Sequence, residues 1–326
     1  MRNVNPLREL KFLHIVLGAA CNQHCKMCFQ SDKQSLIDPE IFRQKLRPLY
    51  PFLTSVCIQG GEPTILPSTG EFINIALAMN PFIRFGIVTN GRLFDSRWSD
   101  IFVRYGDFVN ISLNAASKKI YSDITINGDW EKVISNLQEL SNKRRKAKSK
   151  LKVWASFVVL DDNLHEMQAF LTLCRKIGVD KARFFHDWKL LPSNGILLAE
   201  QLRKAYKLKS SGAIEIEGLE SLEALVLRKP FSGLAYCTRP LNQIFIDYFG
   251  NVSFCCLLGE RGILGNLHSE SLSGLWNSRK ALEIRRRIRS KDFSLCGTYC
   301  KPRGTFDKKT FSLACDGHTL IDLPIQ

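Results

Sequence analysis

The chain has 326 residues, 45% apolar and 24% charged, with 46 Lys and Arg against 31 Asp and Glu for a formal charge of +15. This balance excludes a disordered, collagen-like or disulfide-stapled small protein, and the length suits two ordinary domains. The first apolar stretch stops after about six residues, too short for a signal-peptide core or a membrane span. A cytoplasmic location with no membrane partner is therefore expected, where clustered cysteines read as metal ligands or catalytic groups before disulfides.

From the N-terminus, β-rich runs alternate with amphipathic stretches. Strand-like 12–17 precedes a helical pattern at 39–50; 55–59 precedes 70–79; 83–88 precedes 95–105; 108–113 precedes 130–145; 152–160 precedes 164–177; and 182–185 closes the series. Asp38-Pro39 reads as a helix N-cap followed by Pro in the first turn, and Gly178 as a C-cap. Six such βα units imply α/β architecture with a parallel sheet, either a barrel or a doubly wound sheet.

Ligands in parallel sheets sit beyond the carboxyl ends of the strands. The loop after the first run holds Cys21-x3-Cys25-x2-Cys28, the second Gly60-Gly61-Glu62-Pro63, the third Thr89-Asn90-Gly91, and the fourth Asn114 to Ser117. Three thiolates in so tight a loop suit three irons of a four-iron, four-sulfur cluster and leave the fourth iron open. A zinc knuckle, or a chance group among 11 reduced cysteines, is the competing reading. Beyond a polar, partly helical connector (191–232), residues 233–326 open a new pattern: Cys237, Cys255, then Cys296-x3-Cys300. Residues 244–255 read as a β-hairpin with a Gly250-Asn251 turn. Cys57 and Cys174 read as small buried apolar residues.

The loop Ala20 to Cys28, followed by Ile58 to Pro63, resembles the radical S-adenosylmethionine (radical SAM) superfamily, and residues 88–94 and 110–140 resemble its third and fourth βα units. The resemblance implies a partial (β/α)6 TIM-like barrel over residues 1–190 and a 4Fe-4S cluster on Cys21, Cys25 and Cys28. It also implies S-adenosylmethionine at the open iron, met by Gly60, Gly61, Glu62 and Pro63. Thr89, Asn90, Ser112, Asn114 and Met27 fall where that family surrounds the rest of the cofactor. Many relatives carry an aspartate where this chain has Asn114, which can hydrogen-bond a ribose but cannot act as a base. Ser112 and Asn114 read equally well as strand-end turn residues, and Met27 as packing.

The C-terminal pattern resembles the auxiliary-cluster domains called SPASM and twitch, a smaller α+β domain. This implies a second 4Fe-4S cluster on Cys237, Cys255, Cys296 and Cys300, with a zinc site as the alternative. The Cys-x2-Cys pair that a full SPASM pattern has before Cys296 is missing, so one auxiliary cluster is expected. Cys256 and Cys315 then stand as alternative ligands or hydrogen-donor thiols. His186 and Asp187, beyond the sixth strand, read as substrate contacts or as ordinary loop residues.

The resemblance implies reductive cleavage of S-adenosylmethionine and hydrogen abstraction from a substrate, with oxidation through the auxiliary cluster. A small molecule such as a sugar, an aminocyclitol or a phosphorylated metabolite is the expected substrate; peptide maturation or epimerisation is the alternative. An external one-electron donor such as flavodoxin or ferredoxin is the expected partner. Basic runs at 143–152 and 279–291 read as solvated surface or as a site for an acidic partner. Neither is interleaved with stacking aromatics, so a non-enzymatic metal protein that binds nucleic acid is a lesser reading.

Overall fold

The computed structural model of the chain describes residues 6–28, 30, 32–186, 193–227 and 237–296. In chain order its strands are β1 (Phe12–Val16), β2 (His24–Cys25), β3 (Ser55–Gln59), β4 (Arg84–Thr89), β5 (Gly106–Ser112) and β6 (Thr125–Ile126). They continue as β7 (Lys152–Val159), β8 (Lys181–His186), β9 (Glu215–Glu217), β10 (Gln243–Ile246), β11 (Asn251–Ser253) and β12 (Gly265–Asn266). The helices are α1 (Pro67–Met79), α2 (Ser96–Tyr105), α3 (Lys118–Ile124), α4 (Trp130–Lys146), α5 (Met167–Ile177), α6 (Gly195–Ser210), α7 (Leu219–Val226), α8 (Arg239–Asn242), α9 (Leu272–Trp276) and α10 (Arg279–Arg289). Local chemistry sets several boundaries. Asp95 accepts from the N–H groups of Arg97 and Trp98 to start α2, Asp129 accepts from Lys132 to start α4, and Gly178, at φ +87°, ends α5 in the left-handed conformation.

The expected α/β class, with a mostly parallel sheet, is what the structure has. Two expected elements take other forms. The helix at 39–50 is reduced to a helical start and a π-type turn at Ile41–Lys45, where the Leu46 N–H reaches Ile41 O at 2.9 Å. Pro48 and Pro51 lack the N–H groups a continuing helix needs and disfavour helical backbone in the residues before them. The hairpin at 244–255 forms, with Phe245 opposite Ser253, but its turn is the four-residue loop 247–250 rather than Gly250-Asn251. Asp247 Oδ1 accepts from the N–H groups of Phe249 and Asn251, both at 2.9 Å, and Gly250 takes φ +80°. The connector supplies α6, α7 and β9, and β9 pairs in parallel with β8.

The chain divides into two compact units. One contains Met1–Ala20, Gln30–Gly86 and Ser232–Gln326, the other Cys21–Phe29 and Ile87–Phe231, with β4 contributing residues to both. In the first unit β1 lies between β3 and β10, parallel to each, with β11 and β12 following antiparallel. Phe42, Tyr50, Phe72 and Phe85 fill its core edge to face, and the Tyr50 hydroxyl donates to Phe42 O at 2.6 Å. Burying each such ring is worth roughly 1.5–3 kcal/mol.

In the second unit β5, β7, β8 and β9 run parallel in that order. Phe157 and Phe184 pack on Phe170 of α5 from one face of the sheet. The other face is mixed: Trp154 stacks on Phe108 at 4.2 Å, Ser156 donates to Asn110, and Arg183 lies over Trp154 while bonding both carboxylate oxygens of Glu217 at 3.1 Å.

Part of the basic run at 143–152 is structural. Arg144 is buried; its guanidinium bonds Asp180 together with the carbonyls of Leu151 and Gly178, while Asp180 also accepts the Val153 N–H at 2.7 Å. That fork ties the end of α4 to the start of β7 and to the cap of α5. Removing one partner strands the other charge. Arg144→Met should therefore lower unfolding free energy by about 3 kcal/mol in urea titration, with Arg144→Lys recovering little because it cannot reproduce the fork. A loss below about 1 kcal/mol would show that the fork is not a clamp.

Candidate metal and cofactor site

The backbone beyond β1 is held before any cysteine is reached. Ala19 N–H donates to Ser35 O at 2.7 Å, Gly61 N–H to Gly18 O at 2.9 Å, and Glu62 N–H to Ala20 O at 2.8 Å. Ala20 immediately precedes Cys21. This approach is close enough to exclude side chains. A Cβ on Gly60 would meet Gly18 O at 2.4 Å, and one on Gly61 would meet Ala20 O at 2.1 Å and Ala19 O at 2.2 Å. The glycines let the backbone approach the segment that leads into the cysteines. Glu62 is fully buried, with Oε1 accepting from Thr64 N–H at 3.0 Å and Thr64 Oγ1 at 2.6 Å, so it caps the 3-10 turn at Pro63–Ile65. Buried Pro63 gives its carbonyl to Thr69 Oγ1 at 2.7 Å.

The cysteine loop has its own frame in the second unit. β2 pairs with β6, placing Cys25 opposite Thr125, and Lys26 N–H donates to Ile124 O at 3.0 Å. Gln23 donates to the buried hydroxyl of Tyr121 at 3.2 Å, and burial pushes the Tyr121 pKa up to about 12, so the phenol stays neutral. Asn90 Nδ2 donates to Asn22 Oδ1 at 2.7 Å and lies 4.0 Å from Cys21 Sγ. Cys28 N–H closes a turn onto Cys25 O at 3.0 Å. Cys21 and Cys25 are half-buried, Cys28 is exposed, and Met27 is buried. No motif marks Asn22, Gln23, Tyr121 or Thr125; Asn22 and Gln23 lie between the cysteines, but Tyr121 and Thr125 reach the loop only through folding.

These residues fit an iron-sulfur cluster. Three thiols share one clamped loop, and Asn22 Nδ2 beside them is buried with no hydrogen-bond partner among the described residues. Such a donor suits a group that brings its own acceptors. Among the described residues no three Cys, His, Asp or Glu side chains are drawn together as a single ion would need. Cubane ligands bind separate irons and stand further apart.

The remaining cofactor candidates lie at strand ends of the second unit. Thr89 Oγ1 accepts from Gly91 N–H at 3.1 Å, and Asn90 Oδ1 from Arg92 N–H at 3.0 Å. Ser112 ends β5, half-buried. Asn114, at φ +58°, uses Oδ1 to accept the Val158 N–H at 2.9 Å, and its carbonyl accepts from Asn163 Nδ2 at 2.9 Å. That is strand-end turn chemistry, and it commits the amide oxygen offered for a ribose. His186 ends β8, half-buried; Asp187 lies outside the described residues.

Of the second cysteine set, Cys237, Cys255 and Cys296 are buried and Cys256 is half-buried, all in the first unit; Cys300 and Cys315 lie outside the described residues. Cys255 Sγ accepts from Arg239 Nη1 at 2.7 Å and from Leu257 N–H at 3.4 Å. A hydrogen bond from Cys256, followed by the charge of Arg239 and the Leu257 N–H, holds the Cys255 thiol well below its usual range against the opposing effect of burial. A site that favours thiolate suits a metal ligand. Cys174, buried in α5 without such partners, is pushed the other way, and Cys57 is buried on β3.

Since a Cβ on Gly61 would strike two carbonyls, Gly61→Ala should displace the entry to Cys21. Iron bound after anaerobic reconstitution should fall by about half, that is by about four of eight irons for two clusters, while the circular dichroism spectrum is retained. Iron uptake equal to wild type would refute the close-approach argument.

The sequence model of the radical SAM superfamily matches residues 15–174, and that of the SPASM iron-sulfur cluster-binding domain matches residues 237–301. Over 209 residues the chain is 28% identical to the GTP 3′,8-cyclase of Chlorobaculum tepidum, covering 60% of this chain and 61% of that protein. It is 24% identical over 270 residues to a probable GTP 3′,8-cyclase of Sulfurisphaera tokodaii, covering 78% and 84%. The chain spans about three fifths of the Chlorobaculum relative's length. Among solved structures, Streptococcus suis SuiB bound to the precursor peptide SuiA superposes with TM-score 0.65 at 16% identity, over 91% of this chain and 72% of that one. The protein anSMEcpe with bound AdoMet does so with TM-score 0.64 at 17% identity, over 91% of each. These likenesses are of fold. No helix among the described residues is long and apolar enough to cross a membrane. With both family models matched in the order of the two cysteine patterns, the chain belongs to the radical SAM superfamily and carries a C-terminal SPASM domain.

Proposed function

We propose that the enzyme abstracts hydrogen from a small phosphorylated metabolite and oxidises it by a further electron. The observation that supports cluster chemistry at the cysteine loop most is its clamped entry, where the Gly60-Gly61-Glu62 backbone is bonded to Gly18 and Ala20. When bound, the two clusters and S-adenosylmethionine would supply one-electron reduction, hydrogen-atom abstraction and an acceptor for a second electron.

The chain's own residues do the positioning. Cys21, Cys25 and Cys28 would hold three irons, and the backbone pairing at Thr125 with the Gln23–Tyr121 bond keeps Cys25 in place. Asn22 Nδ2 would donate to a cluster sulfide or to the cofactor, which lowers the cost of burying it. Gly60 to Pro63 of the first unit are offered to the cofactor, as are Thr89, Asn90 and Ser112 at strand ends of the second. Cys237, Cys255, Cys296 and Cys300 would hold the second cluster, and Arg239 offsets the thiolate charge at Cys255. His186 at the end of β8 is offered to the substrate.

The names of the sequence relatives, cyclases of GTP, support a phosphorylated small molecule. A fold neighbour's precursor peptide is the observation behind a peptide substrate.

Three outcomes check this reading. Anaerobically reconstituted enzyme with dithionite and S-adenosylmethionine should form 5′-deoxyadenosine, and Cys21→Ala, Cys25→Ala and Cys28→Ala together should abolish it; unchanged formation in the triple variant would sink the assignment. Cys237→Ala with Cys255→Ala should remove about four irons per chain while leaving that cleavage measurable, and full iron retention would count against a second cluster. Nucleoside and sugar phosphates should raise 5′-deoxyadenosine above the uncoupled background. Stimulation by a peptide alone would replace the substrate class.

A further inference from the structure

The basic run on α10 is not used by the reaction. Ala281, Ile284 and Ile288 are buried, and Arg285 lies over Trp276 at 3.9 Å and Phe254 at 4.9 Å, with Nε donating to Pro240 O at 2.8 Å. Arg287 pairs with Asp292 at 2.7 Å. At roughly 100° per residue, Arg279, Leu282, Arg286 and Arg289 share the outward side of the helix. All four are exposed, Leu282 by 57%, and none of the three guanidinium groups forms an ion pair among the described residues. Glu283 is the one acid on the helix.

Helix stability does not account for this face. Cations in the last turn complement the helix dipole, but Arg279 and Lys280 sit in the first turn, where positive charge opposes it. An exposed leucine flanked by unpaired cations is the pattern of a small, charge-steered, transient contact: an apolar centre with a charged rim. The same helix reaches the second cysteine set. Arg285 bonds the carbonyl of Pro240 in α8, and the first residue of α8, Arg239, bonds Cys255 Sγ.

We propose that Arg279, Leu282, Arg286 and Arg289 form the docking surface for a small acidic one-electron carrier protein that serves the auxiliary cluster. The idea rests on the proposed ligand role of Cys255. One electron would pass out to the carrier, which is reduced as the auxiliary cluster is reoxidised, and no bond is made or broken. Placed there, the carrier meets the chain through the element that supports the segment around Cys255.

The test uses the reconstituted full chain and a purified flavodoxin, with Kd read by calorimetry across a salt series. Arg279→Glu, Arg286→Glu and Arg289→Glu combined should raise Kd about tenfold or more at low salt and remove most of its salt dependence. Leu282→Ala should weaken binding several-fold and leave the salt dependence intact. Replacing all three arginines by lysine should keep the wild-type Kd, which guards against a folding artefact. A control reversal of Lys146, Lys148 and Lys150 to Glu should change Kd little. An unchanged Kd in the arginine reversal, or an equal loss in the control, overturns the proposal. So does tighter binding of a mixed-sequence RNA that the same reversal abolishes, which would assign the face to nucleic acid. Iron content reports separately: if Cys237→Ala with Cys255→Ala spares all iron, the cluster reading fails whatever the Kd.

Discussion

β1 is hydrogen-bonded on both edges, to β3 from Phe12↔Ser55 to Val16↔Gln59 and to β10 from Phe12↔Gln243 to Ile15↔Ile246. A strand held this way cannot slip by one residue without moving every buried side chain to the wrong face. Its buried residues, Leu13, Ile15 and Val16, set that register by packing. The polar member, His14, lies 2.9 Å from Gln59 Oε1 and edge-on to Phe245, so it is satisfied without disturbing the sheet. Both cysteine sets depend on this strand. The chain leaves β1 four residues before Cys21, and the hairpin carrying Cys255 begins with β10.

A fixed strand is not enough to place a cluster loop, because a loop's own backbone must be paired or solvated. Here the pairing is divided. Gly18 and Ala20 are taken by the Gly60-Gly61-Glu62 loop, and the cysteine segment is taken by β6, Tyr121 and Asn90. Glycine at 60 and 61 is then a steric requirement with measurable distances rather than a motif.

Charge is distributed with the same economy. Arg144 and Arg285, which a sequence reading counts among solvated runs, are internal clamps, one forked onto Asp180 and two carbonyls and the other stacked on Trp276. Lys143 is bonded to Asp100 and Ser96. The excess positive charge that meets solvent is correspondingly narrower than the composition implies, and α10 concentrates part of it on one face. Guanidinium can be buried this way because its planar fork satisfies several acceptors at once.

By itself the sequence determined the alternation of strands and helices, since periodicity is local: β3 falls at 55–59 and α4 begins at Trp130, where the apolar pattern starts. The cysteine spacings and the Gly-Gly-Glu loop were equally legible, because their chemistry lies in a few consecutive residues. The loss of the helix expected at 39–50 was also written in the sequence, since Pro48 and Pro51 outweigh its apolar period. Tertiary structure alone decided the pairings between distant segments. Asn114 was committed to Val158, a partner 44 residues away that no local pattern names. Cys255 acquired Arg239, and β1 acquired β10, through pairings whose loop-closure entropy is recovered only when the whole core is buried.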